Sequence, residues 1–166
     1  MSIRELTCCF TGHRPAKLPW GFNENDSRCI ELKTKIYDIA EAVYHSGIRH
    51  YICGMAMGCD LYFCETALRL RDEYGGITVE AAIPCQDQAE KWRGSLRVRY
   101  DTLVERCDTR TVLRPHYTPD CMRKRNEYMV SRSSVIIAVF DGSSGGTRQT
   151  IMMAKRAGIE IIQIAP

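Results

Sequence analysis

The chain has 166 residues, 45% of them apolar and 26% charged, and a formal net charge of +3. That length suits one domain (residues 1–166) with a single core, and the mild charge falls short of the basic excess of a dedicated nucleic-acid binder. No apolar run approaches the roughly 20 residues that span a bilayer, and Met1-Ser2-Ile3-Arg4-Glu5 does not open a signal peptide, so the expected location is cytoplasmic with no membrane partner.

Leu6–Phe10 reads as a first strand, ended by Thr11-Gly12-His13-Arg14-Pro15, and a Pro/Gly/Asn/Asp-rich loop then runs to Asp26. Asp26 or Ser27 is placed to cap a helix in which Ile30, Leu32, Ile36, Ile39, Ala40 and Val43 recur at near-helical spacing, closed by Gly47. Tyr51–Cys53 is a second strand and Asp60–Tyr74 a second helix. Ile77–Ile83 is a third strand, stopped by Pro84, and Gln86–Cys107 reads as mostly helical with a break near Gly94. Thr111–Leu113 is a short strand and Asp120–Ser131 a helix. Val135–Phe140 is the strongest strand pattern, followed by a helix over Thr147–Ala157 and a final strand over Glu160–Ile164.

Nine cysteines carry no CxxC pair, and several fall inside apolar runs. They read as small buried hydrophobes in a reducing compartment, with no metal site and no disulfide framework. Cys59 stands apart because a thiol at a helix start can have a lowered pKa.

Strands alternating with helices, several of them near-continuous apolar runs, specify an α/β fold: a Rossmann-like three-layer sandwich with a mainly parallel sheet. Ligands in such folds sit outside the carboxyl ends of the strands, where strand order reverses. Three turns are expected there. Gly12, His13 and Arg14 follow the first strand and offer a tight turn, an imidazole and a forked guanidinium. Gly54, Met55, Ala56, Gly58 and Asp60 follow the second. Asp60 there either caps the helix or accepts from ribose hydroxyls. Asp141, Gly145, Gly146 and Thr147 follow the fifth and set main-chain N–H groups at a helix start, a natural phosphate cradle. Neither glycine turn meets the GxGxxG or P-loop pattern. The basic run Arg123-Lys124-Arg125-Asn126 lies on a helix, where such runs usually form a solvated face, and Arg125 is its candidate for a further anion contact.

Taken in order, Thr11–Pro15, Cys53–Asp60, Arg125-Asn126 and Asp141–Thr147 resemble the YpsA-like branch of the SLOG superfamily, which links DprA/Smf DNA-processing proteins to the LOG phosphoribohydrolases. The resemblance covers nearly the whole chain and implies a Rossmann-like fold with a site for nucleotides or nucleotide-derived ligands. Gly54, Gly58 and Asp60 resemble the S-G-x-A-x-G-x-D turn of DprA, and Arg125-Asn126 its R-N pair. In the LOG pattern P-G-G-x-G-T-x-x-E, Gly146-Thr147 fits the G-T. Ser143 and Ser144 replace the paired glycines, and Thr150 stands in place of the catalytic glutamate. A hydroxyl cannot supply that carboxylate, which counts against N-glycosidic hydrolysis.

The expected function is binding of a nucleotide-derived small molecule, in the manner of a sensor, with no cofactor and no assigned catalytic residue. Two alternatives remain open: a phosphoribohydrolase-like enzyme using His13, Asp60 or Glu65, and DprA-like single-stranded DNA binding. Self-association is also open.

Overall fold

Strands and helices alternate throughout a computed structural model that describes residues 1–166. In chain order they are β1 (Thr7–Gly12), α1 (Ser27–His45), β2 (His50–Cys53), α2 (Cys59–Tyr74), β3 (Thr78–Ile83), α3 (Gly94–Arg106), β4 (Thr109–Val112), α4 (Cys121–Ser131), β5 (Val135–Val139), α5 (Gly146–Ala157) and β6 (Glu160–Ile164). The sheet order is β4-β3-β2-β1-β5-β6. Every neighbouring pair is parallel, so the expected mainly parallel sheet is wholly so. No helix is long and apolar enough to cross a membrane.

Burial on both faces explains the apolar strands. Cys8 and Phe10 of β1, Tyr51 and Cys53 of β2, and Val135, Ile137 and Val139 of β5 join the larger core, on the side covered by α1, α2 and α3. Their alternates Cys9, Ile52 and Ile136 join the smaller one, under α4 and α5. The Tyr51 hydroxyl, buried with its ring, donates to the Ala40 carbonyl at 2.8 Å and so is not left unpaired. All nine cysteines are free and eight are buried, as small hydrophobes would be.

The Asp26 side chain caps α1 by accepting the Arg28 N–H at 2.9 Å. Its buried stripe is Cys29, Leu32, Ile36, Ala40 and Val43; Ile30, assigned to that stripe from the sequence, is exposed, because Cys29 holds the first inward position. The helix expected from Gln86 begins only at Gly94. Residues 85–93 instead close successive i→i+3 turns (Gln88 to Cys85, Glu90 to Asp87, Trp92 to Ala89), and Arg93 is extended.

One polar cluster ties β3 to β2, β4 and α4. Glu80 of β3 is buried, and its carboxylate accepts from Thr111 at 2.7 Å, from Tyr128 at 2.5 Å and from His50 at 2.8 Å. Burial alone would raise its pKa, but the bonds from His50, Tyr128 and Thr111 outweigh burial and hold it at about 2. A carboxylate depressed in the folded state stabilises above its ordinary pKa of 4.5 and loses that contribution as pH falls toward 2. Glu80→Gln should therefore flatten the acid limb of stability between those values, by roughly 3 kcal/mol, read from urea midpoints across pH.

Candidate functional site

Strand order reverses between β1 and β5: from β1 the chain winds outward through β2, β3 and β4, and from β5 through β6. Loops leaving two such strands diverge and open a crevice at their carboxyl ends. A cavity of about 290 Å³ lies there. Gly12 lines it from the end of β1, His13, Arg14, Ala16 and Lys17 from the loop that follows, Ala56 from the turn after β2, Asp60 from the start of α2, Met122, Arg125, Asn126 and Met129 from α4, Gly145 from the turn before α5, and Gly146 and Thr147 from the start of α5.

The floor is charged. Arg125 and Asp60 are each 5% exposed, with Arg125 Nη1 3.9 Å from Asp60 Oδ2. The same Nη1 donates to the Gly54 carbonyl, and Nε donates to Asn126 Oδ1 at 2.8 Å. Asp60 Oδ2 accepts the Ala56 N–H at 3.1 Å. Burial pushes the Asp60 carboxyl above its ordinary range, against the opposing pull of Arg125 and the Ala56 amide, and burial likewise pushes Arg125 down. Arginine nevertheless stays protonated. Helix α2 is preceded by Gly58 with no side-chain cap, so Asp60 reaches back to tie the turn rather than capping the helix.

Gly54 and Gly58 are fixed by packing. A Cβ at Gly54 would stand 2.8 Å from Arg125 Nη1 and 2.9 Å from Asp60 Oδ2. At Gly58, φ is +86° and a Cβ would stand 2.9 Å from both the His13 carbonyl oxygen and Pro15 Cδ. What approaches these glycines is the protein itself: the turn after β2 is moulded onto the loop after β1, where Cys59 N–H donates to the His13 carbonyl at 3.2 Å.

Two contacts clasp the loop after β1 to the loop after β5. The His13 ring is buried, with Nε2 2.9 Å from Asp141 Oδ1 and 3.1 Å from the Asp141 amide nitrogen. Hydrogen bonds from Ser143, with help from His13, hold the Asp141 carboxyl at about 2. Lys17 Nζ donates to Ser143 Oγ at 3.2 Å and to the Ser144 carbonyl. Helix α5 then begins with no side-chain cap, and its first residues, whose N–H groups have no intrahelical partner, line the cavity.

Of the residues selected from sequence, Gly12, His13, Arg14, Ala56, Asp60, Arg125, Gly145, Gly146 and Thr147 are brought together around this cavity. Gly54, Met55, Gly58 and Asp141 are not among its lining. Met55 is fully buried in the core with φ +61°, and its carbonyl accepts from Gln88 Nε2 at 2.8 Å. Cys59 is also fully buried, and burial drives its thiol pKa up, the reverse of the lowering expected at a helix start. Glu65 is bonded to Arg99 at 2.6 Å, outside the cavity lining. Thr150 is fully buried and donates its hydroxyl to the Gly146 carbonyl at 2.9 Å.

Ala16, Lys17, Met122 and Met129 also line the cavity without being singled out from the sequence, and Asn126 is named there only within the Arg125-Asn126 pair. The α4 residues carried a signal: positions 122, 125, 126 and 129 repeat at the spacing of one helical face. Lys17 carried none, since its role depends on a loop 126 positions away.

A family model described as the YspA SLOG family matches residues 8–161. The SPbeta prophage-derived protein YoqJ of Bacillus subtilis is 30% identical over 140 residues, covering 76% of this chain and 82% of that protein. A UPF0398 protein of Bacillus velezensis is 25% identical over 139 residues, covering 82% of this chain and 76% of its own length. Among solved structures, DNA processing protein A (DprA) of Streptococcus pneumoniae superposes with a TM-score of 0.62 at 16% identity, over 97% of this chain and 50% of that one. DNA processing protein A of Helicobacter pylori, which binds single-stranded DNA, does so with a TM-score of 0.62 at 14% identity, over 96% of this chain and 65% of that one. The chain thus spans about half of the first DprA and two thirds of the second, and at these identities the likeness is one of fold. Matched along almost its whole length by the family model, the chain belongs to the YspA SLOG family.

Proposed function

We propose that this protein binds a nucleotide or nucleotide-derived ligand in the cavity at the carboxyl ends of β1 and β5. One observation carries the reading: an uncapped helix N-terminus, the cations Arg14 and Lys17, and the buried Arg125–Asp60 pair all face one cavity of about 290 Å³. The cations and helix end suit phosphate, and Asp60 suits ribose hydroxyls. Binding is favoured over N-glycosidic hydrolysis because Thr150 offers no carboxylate and its hydroxyl is already engaged.

A thermal-shift panel of AMP, ADP, ATP, NAD and ADP-ribose tests this. A ligand at about 100 times its Kd adds roughly 2.7 kcal/mol, a rise of several degrees for a domain of this size. Arg14→Ala should lower affinity about tenfold or more, the worth of a charge-assisted hydrogen bond. It should leave the unliganded Tm unchanged, because Arg14 is exposed and forms no ion pair. Unchanged affinity in that variant would remove Arg14 from the site.

Single-stranded DNA binding is the second reading, favoured by exposed Arg14 and Lys17 at the cavity and by the DNA-binding protein of like fold. It requires an affinity for a short oligonucleotide that falls steeply with salt. A small nucleotide would show a shallow dependence.

A further inference from the structure

Arg14 and Arg125 converge on the same neutral atom. Arg14 Nη2 lies 3.6 Å and Arg125 Nη2 4.0 Å from the Met122 thioether sulfur. Arg14 has no carboxylate partner, and the Nη2 of the nearly buried Arg125 meets no oxygen of the protein. A guanidinium carries five N–H donors suited to a carboxylate or phosphate, whereas a thioether is a weak acceptor. Two cations aimed at one weak acceptor leave strong donors poorly satisfied, and Asp60, 3.9 Å from Arg125, is a single carboxylate facing two guanidinium groups; an anion would satisfy the donors and balance the second charge. The start of α5 is a second positive feature of the same cavity, and Lys17, in the same loop as Arg14, is turned toward it by its bonds to Ser143 and the Ser144 carbonyl.

We propose that the cavity has two anion subsites, and that its ligand is a small nucleotide derivative bearing two phosphoryl groups. One phosphoryl group sits at the α5 N-terminus with Lys17. The other sits between Arg14 and Arg125, where the Met122 sulfur now stands. This rests on the nucleotide-site reading above and sharpens it: a ligand with a single phosphate fills only half of the positive surface.

Calorimetric titration of the whole chain with AMP, ADP and adenosine 3′,5′-bisphosphate tests the proposal. The two larger probes distinguish adjacent from separated phosphoryl groups. The expected result is that at least one of them binds about tenfold tighter than AMP, the value of an added charge-assisted contact. Arg14→Met, at an exposed position, should erase that advantage, so that both two-phosphoryl probes bind this variant no tighter than AMP binds it. Lys17→Met should weaken all three together.

Equal affinity for AMP and both two-phosphoryl probes would overturn the two-subsite proposal while leaving the nucleotide site standing. So would an advantage over AMP that survives in Arg14→Met, which would place the second phosphoryl group away from the guanidinium pair. Failure of all three to bind would overturn the two-subsite proposal, and failure of ATP, NAD and ADP-ribose as well would remove the nucleotide site itself. Tighter binding of a short single-stranded oligonucleotide than of either two-phosphoryl probe, lost in Arg14→Met, would transfer both subsites to a nucleic-acid backbone and overturn the small-molecule assignment.

Discussion

Arg125→Met should cost about 3–5 kcal/mol of stability, the usual result of removing one partner from a buried ion pair. For a chain of this length that is a fall in Tm on the order of 10 °C. The loss has two sources. Gly54 and Asn126 each lose a hydrogen-bond donor, and Asp60 is left as a nearly buried carboxylate with only the Ala56 amide to satisfy it. The Asp60 carboxyl is already raised by burial, and without Arg125 it should rise further. A group whose folded pKa is raised favours folding below its unfolded value, and that benefit fades as pH rises. The deficit should therefore shrink as pH falls toward the ordinary aspartate value of 3.8. Asp60→Asn combined with Arg125→Met should recover part of the loss, because no buried charge remains unpaired. Urea midpoints of the two single variants and the double variant measure this. Strict additivity would show that the pair is not coupled.

Gly58→Ala should be comparably damaging for a different reason. Its φ of +86° and ψ of −128° lie in a region that side-chain-bearing residues rarely enter, at a cost of roughly 1–3 kcal/mol. The added methyl would also meet the His13 carbonyl and Pro15 at 2.9 Å. Both sit in a loop held at Asp141, so relief must come from backbone movement, with an overpacking cost of about 1–3 kcal/mol. Arg14 follows in that loop, so the variant should lose ligand affinity as well as stability. Gly142→Ala is the matched control: its φ of +90° strains the backbone, but a methyl there meets nothing within 4 Å. Denaturant unfolding that gave equal losses for the two would show that strain, not packing between loops, sets the cost at Gly58.

The alternating layout was legible because strands buried on both faces and helices of regular period leave separate patterns, seen in Val135–Val139 against Cys29–Val43. The turns at the carboxyl ends were legible from glycine, and strand order then brought nine of the chosen residues to one cavity. What glycine could not reveal is which neighbour it makes room for. Gly54 admits Arg125 and Gly58 admits the loop after β1, contacts that span dozens of positions. Cys59 shows the same limit. Its place at a helix start suggested a reactive thiol, but complete burial outweighs the helix end. Residues 86–93 misled because one apolar face suits a chain of tight turns as well as a helix.

Amide chemical-shift mapping shows whether the β1/β5 crevice holds a nucleotide anion. The labelled protein would be titrated separately with AMP, ADP, NAD and ADP-ribose. The expected result is saturable movement of the Gly146, Thr147 and Ala56 amides with at least one of them, while the exposed face of α1 stays still. Saturable shifts confined to another surface, or none with any of the four, would show that this crevice is not a nucleotide site.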